Sequence, residues 1–160
     1  MMKKALFLAA AALAACVAGT TVARAADPVA AVQADVQKLV TDATGLHSTI
    51  QADAQKISAD VASLQGSTDK TAIRSTLTAD WQKVKADRAQ LWPTVQGDWA
   101  TLKTDLQAVK DAKAGKGQLK SLLKTANESL AQQRADVKQA LQSAHDAAQA
   151  LRQSIKKTKP

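Results

Sequence analysis

Three long apolar stripes, separated only by short glycine-bearing breaks, constrain this chain more than any other feature. The first runs Val32, Val36, Leu39, Ala43, Leu46, Ile50, Ala54, Ile57, Val61, Leu64. The second runs Ile73, Leu77, Trp81, Val84, Arg88, Leu91, Val95, Trp99, Leu102, Leu106, Val109, and the third Leu119, Leu123, Ala126, Leu130, Gln133, Val137, Leu141, Ala144, Ala148, Leu151, Ile155. Steps of three and four residues return a side chain to the same face of an α-helix, whereas a strand would need alternation. The spacing therefore predicts an all-α fold with helices over about 28–65, 69–113 and 118–157. Asp27-Pro28 supplies a capping carboxylate and a proline at the first helical position. Gly66 and the run Ala114-Gly115-Lys116-Gly117 supply the breaks. Connections this short favour neighbours in opposite directions, so the expected architecture is an antiparallel up-down-up bundle.

The stripes are coiled-coil-like, but each contains at least one step of four after four, which keeps supercoiling slight. An internal repeat accounts for this. Gln33-Ala34-Asp35-Val36-Gln37-Lys38-Leu39 through Asp42 returns 18 residues later as Gln51-Ala52-Asp53-Ala54-Gln55-Lys56-Ile57 through Asp60. It recurs as Ala79-Asp80-Trp81-Gln82-Lys83-Val84 through Asp87, and more loosely as Gly97-Asp98-Trp99 through Lys103 and Asp105. Eighteen residues make five helical turns, so each copy presents the same face. Pro93 interrupts the second segment without shifting its phase, which predicts a kink; a full break there, giving four helices, is the alternative. Many stripe positions are alanine, so the core is thin, and self-association is an expected way to bury more surface.

The first 25 residues read as a leader, not as fold. Met1-Met2-Lys3-Lys4 is basic, an alanine-rich apolar run follows, and Ala23-Arg24-Ala25 offers small residues at a signal-peptidase site. A second reading takes Leu13-Ala14-Ala15-Cys16 as a lipobox, with residues 1–15 removed and Cys16, the one cysteine of the chain, lipidated. Either way export is expected, to the periplasm or beyond it or to a membrane-anchored lipoprotein, with residues 26–160 forming one domain. Cleavage after Ala25 takes three of the 22 basic residues and none of the 14 acidic ones, leaving a net charge of +5.

Catalytic chemistry finds little to work with. His47 and His145 each follow a stripe residue by one position, which turns them about 100° from the stripe and predicts solvated surface imidazoles. The aspartates step by seven and eleven, too far apart to share one ion. They read as a polar face, balanced by lysines in the pairs Asp35–Lys38, Asp53–Lys56 and Asp80–Lys83. No nucleophile–base set or phosphate-binding loop occurs in the sequence, and no cofactor, metal or small-molecule substrate is expected.

Two binding features stand out. Trp81, Trp92 and Trp99, spaced by 11 and 7, fall within about 20° of one line along a straight helix. Lys85, Arg88 and Lys103 flank them one turn away. The rings can seal the rim of a thin core, with cation–π contacts outside, or face a membrane interface, a glycan or an anionic polymer. The basic C-terminus, with Lys156, Lys157 and Lys159, is the second. Residues 116–160 carry +6 against −2 for residues 28–66, so anionic lipid or envelope polymer is a candidate partner. Nucleic acid is not expected of an exported chain.

In its leader and heptad-like repeats alone, the chain is similar to small helical envelope proteins of the murein-lipoprotein type. It lacks their Tyr-Arg-Lys ending and folds back at two glycine turns. The composite expectation is a non-enzymatic structural or interaction protein of the bacterial cell envelope. The alternative is a periplasmic holdase-like or surface-binding module that uses the tryptophan rim and the basic end.

Overall fold

The computed structural model describes residues 27–113 and 115–157. The leader, with Cys16, lies outside these residues, as does Lys159. Three helices form: α1 (Pro28–Ser63), α2 (Lys70–Ala112) and α3 (Lys116–Lys157). At 1.5 Å per residue they are about 54–65 Å long. Asp27, in an extended conformation, caps α1 by accepting from the amides of Val29 (2.9 Å) and Ala30 (3.3 Å), with Pro28 directly inside. Asp69 does the same for α2 through Thr71 and Ala72, both at 2.9 Å. Each aspartate thus satisfies amides that have no partner within the helix.

The two reversals use left-handed backbone. After Leu64 closes α1, the chain turns through Gly66 at φ +85°. α2 ends on Lys113 at φ +56°, and Gly115 at φ +60° offers its carbonyl to the Leu119 amide (3.2 Å) to start α3. Gly115 is constrained twice over. A Cβ built there would stand 2.5 Å from a methyl of Val29, so α1 and the start of α3 meet where no side chain fits.

Pro93 lies inside α2, which is continuous from Lys70 to Ala112, so the three-helix arrangement holds and the four-helix alternative does not. The core follows the apolar stripes. Val32, Leu39 and Ile57 of α1, Ile73, Leu77 and Leu102 of α2, and Leu130 of α3 are the largest fully buried side chains.

The three sides of the bundle are unequal. Close backbone approaches run between α1 and α2 and between α1 and α3, while α2 and α3 hardly approach each other. α1 is therefore the hub, flanked by an antiparallel α2 and a parallel α3. That position broadens its buried arc. Residues one position before the stripe, Asp35 and Asp53, are covered on one flank, and residues one position after it, Thr44 and His47, are partly covered on the other.

Candidate functional site

The aspartates expected on a solvated face are instead buried. Asp35, Asp53, Asp80 and Asp98 are each less than a tenth exposed. The cause is geometric: on α1 and α2 alike, one residue before a stripe position points across the α1–α2 interface, not at water. Lysines cross the α1–α2 interface to meet three of them. Lys38 lies 2.6 Å from Asp98, Lys56 is 3.1 Å from Asp80, and Lys83 is 2.9 Å from Asp53. The i,i+3 pairing gives way to a different geometry in which each lysine also reaches forward four residues on its own helix. Those partners are Asp42, Asp60 and Asp87. One ammonium thus joins a carboxylate of its own helix to a buried carboxylate of the other. The arrangement is reciprocal, since Asp53–Lys83 and Lys56–Asp80 exchange roles between α1 and α2.

This geometry polarises the groups. Asp42 first and Asp98 second push the Lys38 ammonium up to about 12, and Asp60 with Asp80, and Asp87 with Asp53, raise Lys56 and Lys83 in the same way. Hydrogen bonds from Lys38 and Lys83 hold Asp42 and Asp87 below the ordinary carboxylate range. The inner oxygens of Asp53, Asp80 and Asp98 accept no hydrogen bond, so each buried carboxylate depends on one lysine. Groups locked together in this way hold the two helices in register. Among the described residues no group of three or more His, Cys, Asp or Glu could hold a metal ion, and no helix is long and apolar enough to cross a membrane.

The histidines also depart from a simple solvated role. His47, half-buried, places Nδ1 2.9 Å from Oε1 of Gln133 on α3, so the amide oxygen accepts when Nδ1 carries the proton. Gln133 completes the link by donating to the Thr44 hydroxyl (3.0 Å). A stripe position in α3 is thus polar because its partner is the polar flank of α1. His145 is exposed and accepts from Gln149, yet its ring meets Trp81 edge-on at 6.2 Å, joining α3 to α2.

The tryptophan line divides. Trp81 is half-buried against the core, while Trp92 and Trp99, 40% and 41% exposed, are the large hydrophobics left open among the described residues. Lys85, Arg88 and Lys103 are exposed beside them. A shallow concavity of about 410 Å³ lies at Trp99, lined by Ala100, Leu102, Lys103 and Leu106, all from α2. Lys156 is exposed near the end of α3; the side chain of Lys157 lies outside the described residues. Sequence reasoning missed the interhelical lysine bridges. The signal for them was present, because the aspartates precede stripe residues by one position in every copy.

No family model, curated protein or solved structure matches this chain.

Proposed function

We propose that the chain is a non-enzymatic structural or interaction protein of the bacterial cell envelope, exported by its N-terminal leader and tethered there if Cys16 is lipidated. The observation that carries this reading is the division of labour on α2. Its buried aspartates and Lys83 are committed to joining α1, and Trp92 and Trp99 remain open on another face with Lys85, Arg88 and Lys103 around them. A surface that keeps large aromatic rings and cations exposed, above an interface that consumes its titratable groups, suits binding better than catalysis. The helices are read as products of an 18-residue unit, with Pro93 bending α2.

Intact mass of the protein recovered from its native host, combined with fractionation, tests this reading. A mass beginning at Ala26, or a lipid-modified Cys16, in the envelope fraction supports it. A chain that keeps residues 1–25 in the cytoplasm overturns it.

The concavity at Trp99 favours a second reading, a holdase-like module that captures apolar segments. Light scattering of an aggregating client separates the two: suppression that is lost in Trp99→Ala supports capture, and unaltered aggregation removes it.

A further inference from the structure

α2 and α3 make few close backbone approaches, and the side chains that helical periodicity turns toward their seam are mostly cations. The edge-on contact of Trp81 with His145 fixes the register, and the reversal from Ala112 to Lys116 agrees with it within two residues. In two antiparallel helices of equal rise, that register sets Arg88 level with Lys138, Arg74 with Arg152, and Lys70 with Lys156. On their own helices these residues lie within about 20° of the direction of Trp81 or of His145, at 100° per residue. All six are exposed, and none forms an ion pair among the described residues. The acids of both helices point elsewhere. Asp80 and Asp98 are buried against α1, and Glu128 and Asp146 fall about 100° round α3 from His145. Like charges at equal heights repel, and that repulsion matches the scarcity of close backbone approaches on this side of the bundle.

Because the stripe keeps its phase across Pro93, Trp92 and Trp99 fall within about 20° of the line of Trp81, on the side of α2 that borders this seam. The span from Trp81 to Trp99 is about 27 Å, long enough for several sugar rings end to end. Indole faces offer flat apolar platforms to the C–H faces of sugars, and the cations on both sides offer partners for carboxylates.

We propose that the α2–α3 seam is a binding groove for a linear acidic polysaccharide, with uronate-type carboxylates on the two rows of cations and sugar rings on Trp92 and Trp99. A second copy of the chain would bring cation against cation. A bilayer fits a flat face better than a cleft between two charged rows, and the groove suits a thread-like ligand. The inference rests on the envelope-interaction reading above. That reading fails by fractionation, whereas the groove fails by binding measurements on the purified protein, whatever its compartment.

The test uses the three tryptophans, the chain having no tyrosine, as the fluorescent reporter. Alginate oligomers should shift the emission, with an affinity that falls on the order of tenfold or more between about 50 and 200 mM salt. Neutral dextran should not shift it. The double variant Arg88→Glu/Lys138→Glu should weaken alginate binding by about tenfold or more with an unchanged helical spectrum. Trp99→Ala should weaken alginate binding about fivefold or more and leave binding of polyacrylate, a polyanion without sugar rings, unaltered. The single variant Arg88→Glu turns a repulsive rung into an attractive one, so its Tm should hold or rise while binding falls. The proposal is overturned if alginate gives no shift, or if Trp99→Ala affects alginate and polyacrylate alike. Tighter binding of phosphatidylglycerol vesicles or single-stranded DNA, at equal charge concentration, would also overturn it.

Discussion

Lys83 bridges Asp87 on its own helix and one oxygen of Asp53 on α1, and the other, buried oxygen of Asp53 accepts no hydrogen bond. Replacing Lys83 by Met leaves a desolvated carboxylate without its cation, so Tm should fall. The double variant Lys83→Met/Asp53→Leu removes the charge as well and should recover most of the loss, because an apolar pair at a helix interface carries no desolvation penalty. Thermal unfolding by circular dichroism checks both, and a double variant as unstable as the single one would refute the dependence. The same bridges give stability two edges in pH. Asp42 and Asp87 titrate below the ordinary carboxylate range, so their contribution is complete above about pH 4 and is lost as pH falls through the depressed values. Lys38, raised to about 12, contributes fully below its ordinary value and loses that contribution as pH rises through about 12. A Tm profile across this range, flattened at high salt, is the expected result; a Tm that climbs on acidification below pH 4 would contradict it. At Gly115 the constraint is steric. Alanine there meets Val29 and must hold a positive φ, so Gly115→Ala should cost about 1–3 kcal/mol in a denaturant titration.

At the scale of the helix, periodicity was informative and its edges were not. Val32, Leu39, Ile57, Leu77 and Leu102, all read as stripe residues, are among the most buried side chains, and Asp27, Pro28 and Gly66 act as the punctuation their chemistry suggests. The stripe locates the centre of a buried arc, but its width depends on how many neighbours a helix has. That number is a tertiary property, and it explains why Asp53 and His47, each one step from the stripe on opposite sides, were read as solvated. The tryptophan line was legible as a line; that Trp81 would pack inward while Trp92 and Trp99 stay open required knowing where α3 ends up. Pro93 is exposed and sits within an unbroken helix, with no amide to offer the Ala89 carbonyl. Pro93→Ala should therefore raise stability by about 1–3 kcal/mol, seen as a higher denaturant midpoint at unchanged slope.

For the whole molecule, the unequal sides imply unequal protection. α1 and α2 are joined by a short reversal, close packing and the lysine bridges. α3 touches mainly α1, through partners such as Thr44 and Gln133, 89 residues apart, and leaves much of its apolar stripe only partly covered. Hydrogen exchange should show α3 opening at lower free energy than α1 and α2. Uniform protection of all three helices would argue against a hub.

Placing the hub at the N-terminal end of the fold also sets a timetable. The first helix to emerge during synthesis has no partner of its own, and it finds one when α2 folds back upon it through a short, entropically cheap closure. Its second flank, with Val29, Thr44 and His47, stays wet until the chain has been extended by another forty or so residues. During that interval the nascent hairpin offers an uncovered strip along one side, shaped to accept a parallel helix. A corresponding helix from another molecule could occupy it, so crowding at the point of synthesis, more than mutation, is where exchange of α3 between copies would begin.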